Sequence, residues 1–310
     1  MSVDNSTMSP QMLSSSKGVT WCALYSTVAF LVVLFNLVTM VTFIFDIRLR
    51  RRRSMYCLMN LAVADMLVGS LPMPLAVYTF GLMSLLWGKL ENLTPTWIMF
   101  LTGAHMFTGF LSLLSLALVS LERAFAVVYP LRMRAVKSRM YFAAILVTWC
   151  LGFISTGVYI AYGDNSKVSF FAWIIPCLVA IVVIFVSYVI IYFQVKRQHT
   201  IHQQREMRTA IKRERYLAFT LFIVTVMSLV TWLPHVIVQC VWFLEAVPIT
   251  FEQNNGTICL MYANSIGNPV VYVLRMKDFR RGLVRVLCRE GNRVNPSDLT
   301  QTHEVNTAAM

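Results

Sequence analysis

Charge is scarce in this sequence. Asp, Glu, Lys and Arg together supply 13% of its 310 residues and hydrophobic residues 57%, whereas about a quarter of a soluble domain is charged. The missing charge is missing in long runs. Gly18–Phe45, Met55–Gly88 (interrupted by Asp65), Asn92–Leu121, Met140–Gly163, Val168–Val195, Tyr216–Leu244 and Gln253–Leu274 contain no other Asp, Glu, Lys or Arg. About 20 helical residues cross the roughly 30 Å of bilayer hydrocarbon, so every run is long enough to span it. Runs of this length exclude a large soluble helical protein, and their Gly and Pro residues are ordinary where neighbouring helices re-satisfy the backbone. The predicted fold class is an all-α membrane protein, a seven-transmembrane helix bundle.

A disulfide framework is lacking too. The seven cysteines, Cys22, Cys57, Cys150, Cys177, Cys240, Cys259 and Cys288, lie in or beside the apolar runs, where reduced core thiols are expected. No internal repeat is present. No nucleotide-binding, metal-hydrolase or nucleophile constellation is present either, so no enzymatic activity is expected.

What charge there is lies mostly on one side. Of 27 Lys and Arg residues, all but Lys17, Lys89 and Lys167 share one face of a seven-span arrangement. Short cytoplasmic loops accumulate Lys and Arg, so the amino terminus is expected outside, in a multi-pass plasma-membrane protein. The acceptor tripeptides at Asn5, Asn92 and Asn255 fall outside as well, which makes them candidate glycosylation sites. The net charge of +13 then belongs to inner loops facing anionic lipid and does not argue for nucleic-acid binding. Met1–Lys17 is polar, so no cleavable signal peptide is expected and the first span would act as the insertion signal.

By composition, residues 1–17 form an outer tail, 18–290 the membrane domain and 291–310 a disordered inner tail. Within Lys277–Cys288, Phe279, Leu283, Val284 and Leu287 recur at helical spacing among cationic residues. That pattern predicts a short amphipathic cytoplasmic helix on the membrane surface. Cys288 at its end is a candidate palmitoylation site, with an unmodified thiol as the alternative.

An ionisable group inside a bilayer costs about 2.5–3.5 kcal/mol, so each one is a functional candidate. Asp65 lies mid-span in Asn-Leu-Ala-Val-Ala-Asp, and Glu122-Arg123 ends the third span. Asn36, Ser112, Asn264, Ser265 and Asn268 add neutral polar groups that a bundle can bring together.

In order along the spans, the sequence carries Asn36 in Leu-Phe-Asn-Leu-Val, Asp65, Glu122-Arg123-Ala124, Trp149, Thr231-Trp232-Leu233-Pro234 and Asn268-Pro269-Val270-Val271-Tyr272. With these features it resembles the rhodopsin-like (class A) G-protein-coupled receptors across all seven spans. The resemblance implies a receptor that passes an extracellular ligand signal to a heterotrimeric G protein. It implies a sodium pocket at Asp65, Ser112, Asn264, Ser265 and Asn268, since one carboxylate with neutral oxygens suits a hard cation. A hydrogen-bonded polar core without an ion is the alternative. No other cofactor is implied. Coupling and activation roles fall to Glu122, Arg123, Glu214, Tyr188, Trp232, Pro234, Asn268, Pro269 and Tyr272. Pro234 and Pro269 each remove a helix hydrogen bond and permit a bend. Glu214 is expected to reach Arg123 from the sixth span as an inner clamp, or else to be one more solvated charge.

Departures from the family pattern narrow the ligand. The usual cysteines are missing from Thr94–Phe100 and Gly163–Phe170, so the outer disulfide staple is absent. Ala180, not Pro176, occupies the usual proline site of the fifth span, and Ser228 replaces a customary Phe near Trp232. Amine receptors carry an Asp where this sequence has His105, and opsins carry a Lys where it has Tyr262. Neither a charged amine nor a Schiff-base retinal is the expected ligand. The candidate pocket residues Tyr78, His105, Met106, Trp232, His235, Gln239 and Tyr262 are aromatic, thioether or neutral polar. Such a lining suits a lipid-like or uncharged ligand oriented by a few hydrogen bonds, although each side chain taken alone also serves helix packing.

Two other readings stay open. Asp65 and the Glu-Arg pair could serve an ion-coupled transporter or channel, although paired repeats and broken helices are not found. Ala124, Ser228 and the missing staple would also suit a degenerate receptor that no longer signals.

Overall fold

The computed structural model describes residues 12–50, 54–163, 166–201, 226–245 and 247–288. Among them, the apolar runs form α1 (Ser15–Phe45), α3 (Met55–Ser70) with α4 (Pro72–Met83), α5 (Pro95–Val128), α7 (Ser138–Tyr162), α8 (Lys167–Ile201), α9 (Val226–Phe243) and α10 (Phe251–Arg275). These make seven membrane spans, with α3 and α4 forming the second. Short helices α2 (Ile47–Arg50) and α6 (Pro130–Ala135) lie between spans, and α11 (Lys277–Leu287) follows the last.

Local chemistry explains the boundaries. The second span is broken at Leu71, where φ −114° and ψ −75° precede Pro72, because proline disfavours helical geometry in the residue before it. The third runs past the expected Leu121 to Val128: Glu122 and Arg123 end the charge-free run but not the helix, which stops at Tyr129 before Pro130. Thr94 starts α5 by accepting from the Trp97 amide at 3.2 Å, with Pro95 in the first turn. Thr250 and Gln253 start α10 with a reciprocal capping box. Caps of this kind contribute about 1 kcal/mol each. Gly163 closes α7 at φ +76°, a conformation costly for a residue with a Cβ.

The third span lies at the centre, with α5 packed on α3, α7 and α8, while α1 packs on α3, α4 and α10. The fourth turns Phe142, Leu146, Phe153 and Ile154 outward, as a lipid-facing helix should. Asn60 ties spans two, three and four together, donating to Ser115 Oγ at 2.7 Å and accepting from Trp149 Nε1 at 2.9 Å.

All seven cysteines are free, and the outer end of the third span is held instead to the second. Trp97 Nε1 donates to Thr79 Oγ1 at 3.0 Å, the rings of Tyr78 and Trp97 meet at 5.0 Å, and Leu13 N donates to Met83 O at 3.0 Å. Leu82, Met83 and Leu93 form a small outer core beneath them. Lys17 pairs with Glu252, an exposed bridge of modest strength. Because Lys17 and Asn92 share this end, an amino-terminal tag should stain on intact cells and a carboxy-terminal tag only after permeabilisation. The opposite staining would invert the orientation.

The amphipathic helix is present as α11, and its anchoring has a specific cause. Phe279 is buried between Phe43 at 5.3 Å and Tyr272 at 6.0 Å between ring centres. Asp46 is also buried, accepting from the amides of Arg48 at 2.9 Å and Leu49 at 3.0 Å while Arg285 of α11 reaches it at 2.5 Å. A Cβ on Gly282 would stand 3.0 Å from both Asp46 Oδ2 and Leu49 Cδ1, so the glycine permits this approach. Asp46→Ala removes a cap and the ion pair together. We expect a loss of about 1–3 kcal/mol, read as a lower Tm and as faster amide exchange confined to α2 and α11. Unchanged exchange in α11 would mean that Phe279 alone holds the helix.

Candidate functional site

Three polar clusters lie along the bundle axis. In the middle, Asp65 is fully buried, and its Oδ1 accepts from Ser112 at 2.5 Å and Ser265 at 2.8 Å, while Oδ2 accepts from Asn268 Nδ2 at 2.8 Å. Spans two, three and seven therefore meet on one carboxylate. Asn36 adds the first span, donating to Ser265 O at 3.0 Å. Asn264, predicted for the same set, instead accepts from Ser228 of α9 at 2.9 Å. That bond was not foreseen. A serine where the family has Phe leaves a hydroxyl in a dry interior, and it finds the nearest amide oxygen.

At the inner end, Arg123 Nε lies 2.8 Å from Glu122 Oε2, with the Glu122 side chain almost wholly buried and Arg123 partly exposed. Tyr188 and Tyr272 are buried in the core, and Pro269 lies inside α10 next to Asn268. Glu214 lies outside the described residues, so its predicted contact with Arg123 has no counterpart in this geometry. Cys288 is exposed at the end of α11.

In the outer half, His105 Nδ1 is 2.6 Å from Tyr262 Oη, and His235 Nδ1 is 3.3 Å from Thr257 Oγ1. The two imidazoles meet with their planes perpendicular at 5.5 Å between ring centres, and Trp173 approaches His235 at 5.8 Å. Gln239 donates to Asn254 at 3.4 Å. Trp232 is buried below, and among the described residues its Nε1 has no hydrogen-bond partner. Met106 packs against the core. Tyr78, in contrast, is 41% exposed and packs on Trp97, apart from the histidines. No Asp or Glu is among the hydrogen-bond or ring partners of either imidazole.

Of the glycosylation candidates, Asn92 is exposed, whereas Asn255 is half-buried in α10, its side-chain amide donating to Phe251 O at 2.9 Å and its backbone carbonyl accepting from Tyr25 Oη at 2.8 Å. Asn5 lies outside the described residues.

Residues 35–170 and 159–272 match the family described as "7 transmembrane receptor (rhodopsin family)". The chain belongs to that family. Among individual relatives, the receptor is 28% identical to galanin receptor 2a of Danio rerio, over 76% of this chain and 69% of the relative. It is 27% identical to adenosine receptor A3 of Ovis aries, over 91% and 97%, and 26% identical to adenosine receptor A3 of Canis lupus familiaris, over 83% and 88%. The two groups carry different ligands in their names at nearly equal identity, so likeness alone does not choose a ligand for this receptor.

Family membership makes the protein a non-enzymatic, multi-pass plasma-membrane receptor that signals, as its family does, through a heterotrimeric G protein. Sequence reasoning missed Asn60, Thr257 and the bond from Ser228 to Asn264. Each is a neutral polar side chain in an apolar span, the class that hydrogen-bonds between helices, and that was the available signal.

Proposed function

We propose that this receptor takes an uncharged, mostly apolar ligand between the third, sixth and seventh spans and relays its binding to Arg123 at the inner face. The observation that carries this reading is the outer cluster of His105, His235, Tyr262 and Thr257. It offers imidazole and hydroxyl groups with no carboxylate among their partners. A ligand ammonium would have no counter-charge there, whereas a carbonyl or hydroxyl would find donors and acceptors among aromatic walls. Trp232 and Pro234 stand directly below, where a ligand can bias the bend of the sixth span.

The Asp65 cluster supports a sodium site in the inactive bundle. Asn268 Oδ1 is buried without a hydrogen-bond partner among the described residues, which leaves an acceptor oxygen beside a carboxylate and two hydroxyl oxygens. An all-oxygen set with one negative charge fits a hard monovalent cation. Asp65, Ser112, Ser265 and Asn268 would hold it, and the ion would supply the charge that offsets burial of the carboxylate. Screening cells that express the receptor against amine and uncharged amphiphile panels, with G-protein activation as readout, tests the ligand class. Responses confined to amines would overturn it.

A further inference from the structure

Two of the receptor's five histidines meet in the outer half of the bundle, one from the third span and one from the sixth. We propose that His105 and His235 together form a binding site for an imidazole-seeking divalent transition metal, Zn2+ foremost, that fastens the third span to the sixth.

The spacing fits such an ion. A Zn–N distance of about 2.0–2.1 Å places the ion roughly 3.2 Å from a ring centre, so two imidazoles at a tetrahedral angle have centres about 5.3 Å apart. Here the centres are 5.5 Å apart with the ring planes at 90°.

Hydrogen bonding frees the right nitrogens. Thr257 Oγ1 gives its only proton to Asn254 O at 2.9 Å, so toward His235 it can only accept. His235 therefore carries its proton on Nδ1 and presents an Nε2 lone pair. His105 Nδ1 is likewise engaged by Tyr262 Oη. That hydroxyl makes no other hydrogen bond among the described residues, so it can turn to accept and leave Nε2 of His105 as a second lone pair. Among the described residues neither Nε2 has a hydrogen-bond partner. A metal-binding histidine characteristically donates its other ring N–H to an oxygen, and both oxygens here come from the seventh span.

Two imidazoles supply half a tetrahedral shell, leaving the rest to water or a ligand atom. Imidazole also selects Zn2+, Cu2+ or Ni2+ over Mg2+ and Ca2+, which separates this site from the all-oxygen cluster at Asp65. His105 is partly exposed and His235 is buried, so the ion would enter from the His105 side. An ion shared by the third and sixth spans would lower ligand-free signalling. That consequence rests on the activation reading above, whereas the binding test does not.

The test is a ZnCl2 titration of purified full-length receptor in lipid nanodiscs. The expected result is a saturable rise in Tm of several degrees, reversed by chelator and absent with MgCl2. CoCl2 in its place should give visible absorption that saturates at one ion per receptor. His199, His202 and His303 are other ligands in the chain, so a variant with all three changed to Ala should keep the shift, while His105→Gln and His235→Gln should each lose it. A shift that survives both Gln variants, or that vanishes with the other three histidines, overturns the proposal. So does wild-type receptor without saturable Co2+ absorption, a result that needs no variant to fold.

Discussion

Arg123→Ala is expected to lower ligand-driven G-protein activation by at least about tenfold, a loss of 1.4 kcal/mol or more in coupling free energy, compared at equal receptor number at the cell surface. The guanidinium stands at the inner end of the central helix, partly exposed and held 2.8 Å from Glu122. It is placed to be released toward an inner cleft when the third and sixth spans separate. Its side chain is mostly buried beside Glu122, so removing it leaves that carboxylate unpaired and also lowers Tm. Glu214→Ala should act in the opposite sense: if that carboxylate reaches Arg123 from the sixth span, losing it raises ligand-free signalling. Surface staining together with nucleotide exchange checks both. Normal coupling by Arg123→Ala would show that the G protein engages other residues.

Asp65→Asn should abolish any sodium dependence of agonist affinity. A ligand or ion shifts a two-state equilibrium only through its differential affinity for the states, and the Asp65 carboxylate is the only anion among the side chains hydrogen-bonded there. The substitution also gives an amide that must turn one N–H toward a donor. Ser112, Ser265 and Asn268 all donate to the carboxylate, so one donor loses its acceptor, at about 1–3 kcal/mol. A lower Tm should therefore accompany the lost sodium effect. Agonist competition curves with NaCl and with an equimolar larger organic cation separate the ion from ionic strength. A sodium shift that persists in Asp65→Asn places the ion elsewhere.

The bundle was legible because it follows from solvent. A bilayer demands long uncharged helices, and among the described residues each of the seven runs contains a membrane-length helix, with ends or breaks set by local chemistry at Leu71, Tyr129 and Thr94. The Asp65 cluster was legible for a related reason, since polar residues in an apolar span must converge or be lost. Which oxygen each one finds was not legible. Asn264 turns to Ser228 rather than Asp65, a choice made by the packing of α9 on α10 that no spacing rule encodes. The outer cap was illegible in a different way. A missing cysteine says only that a staple is gone, not that Trp97 ties the outer end of the third span to Thr79 of the second. Tyr78 shows the same limit, because its helix position suits the pocket while its ring is taken by Trp97.

Whether this protein is a signalling receptor is decided by nucleotide exchange on purified heterotrimeric G proteins of each class by the receptor reconstituted in lipid vesicles, alone and with a panel of uncharged amphiphiles. Exchange above receptor-free vesicles is expected on at least one class, raised by at least one amphiphile and lost in Arg123→Ala. No exchange on any class under any of these conditions, together with Asp65-dependent Na+ or H+ flux through the same vesicles, would contradict it and make the protein a transporter.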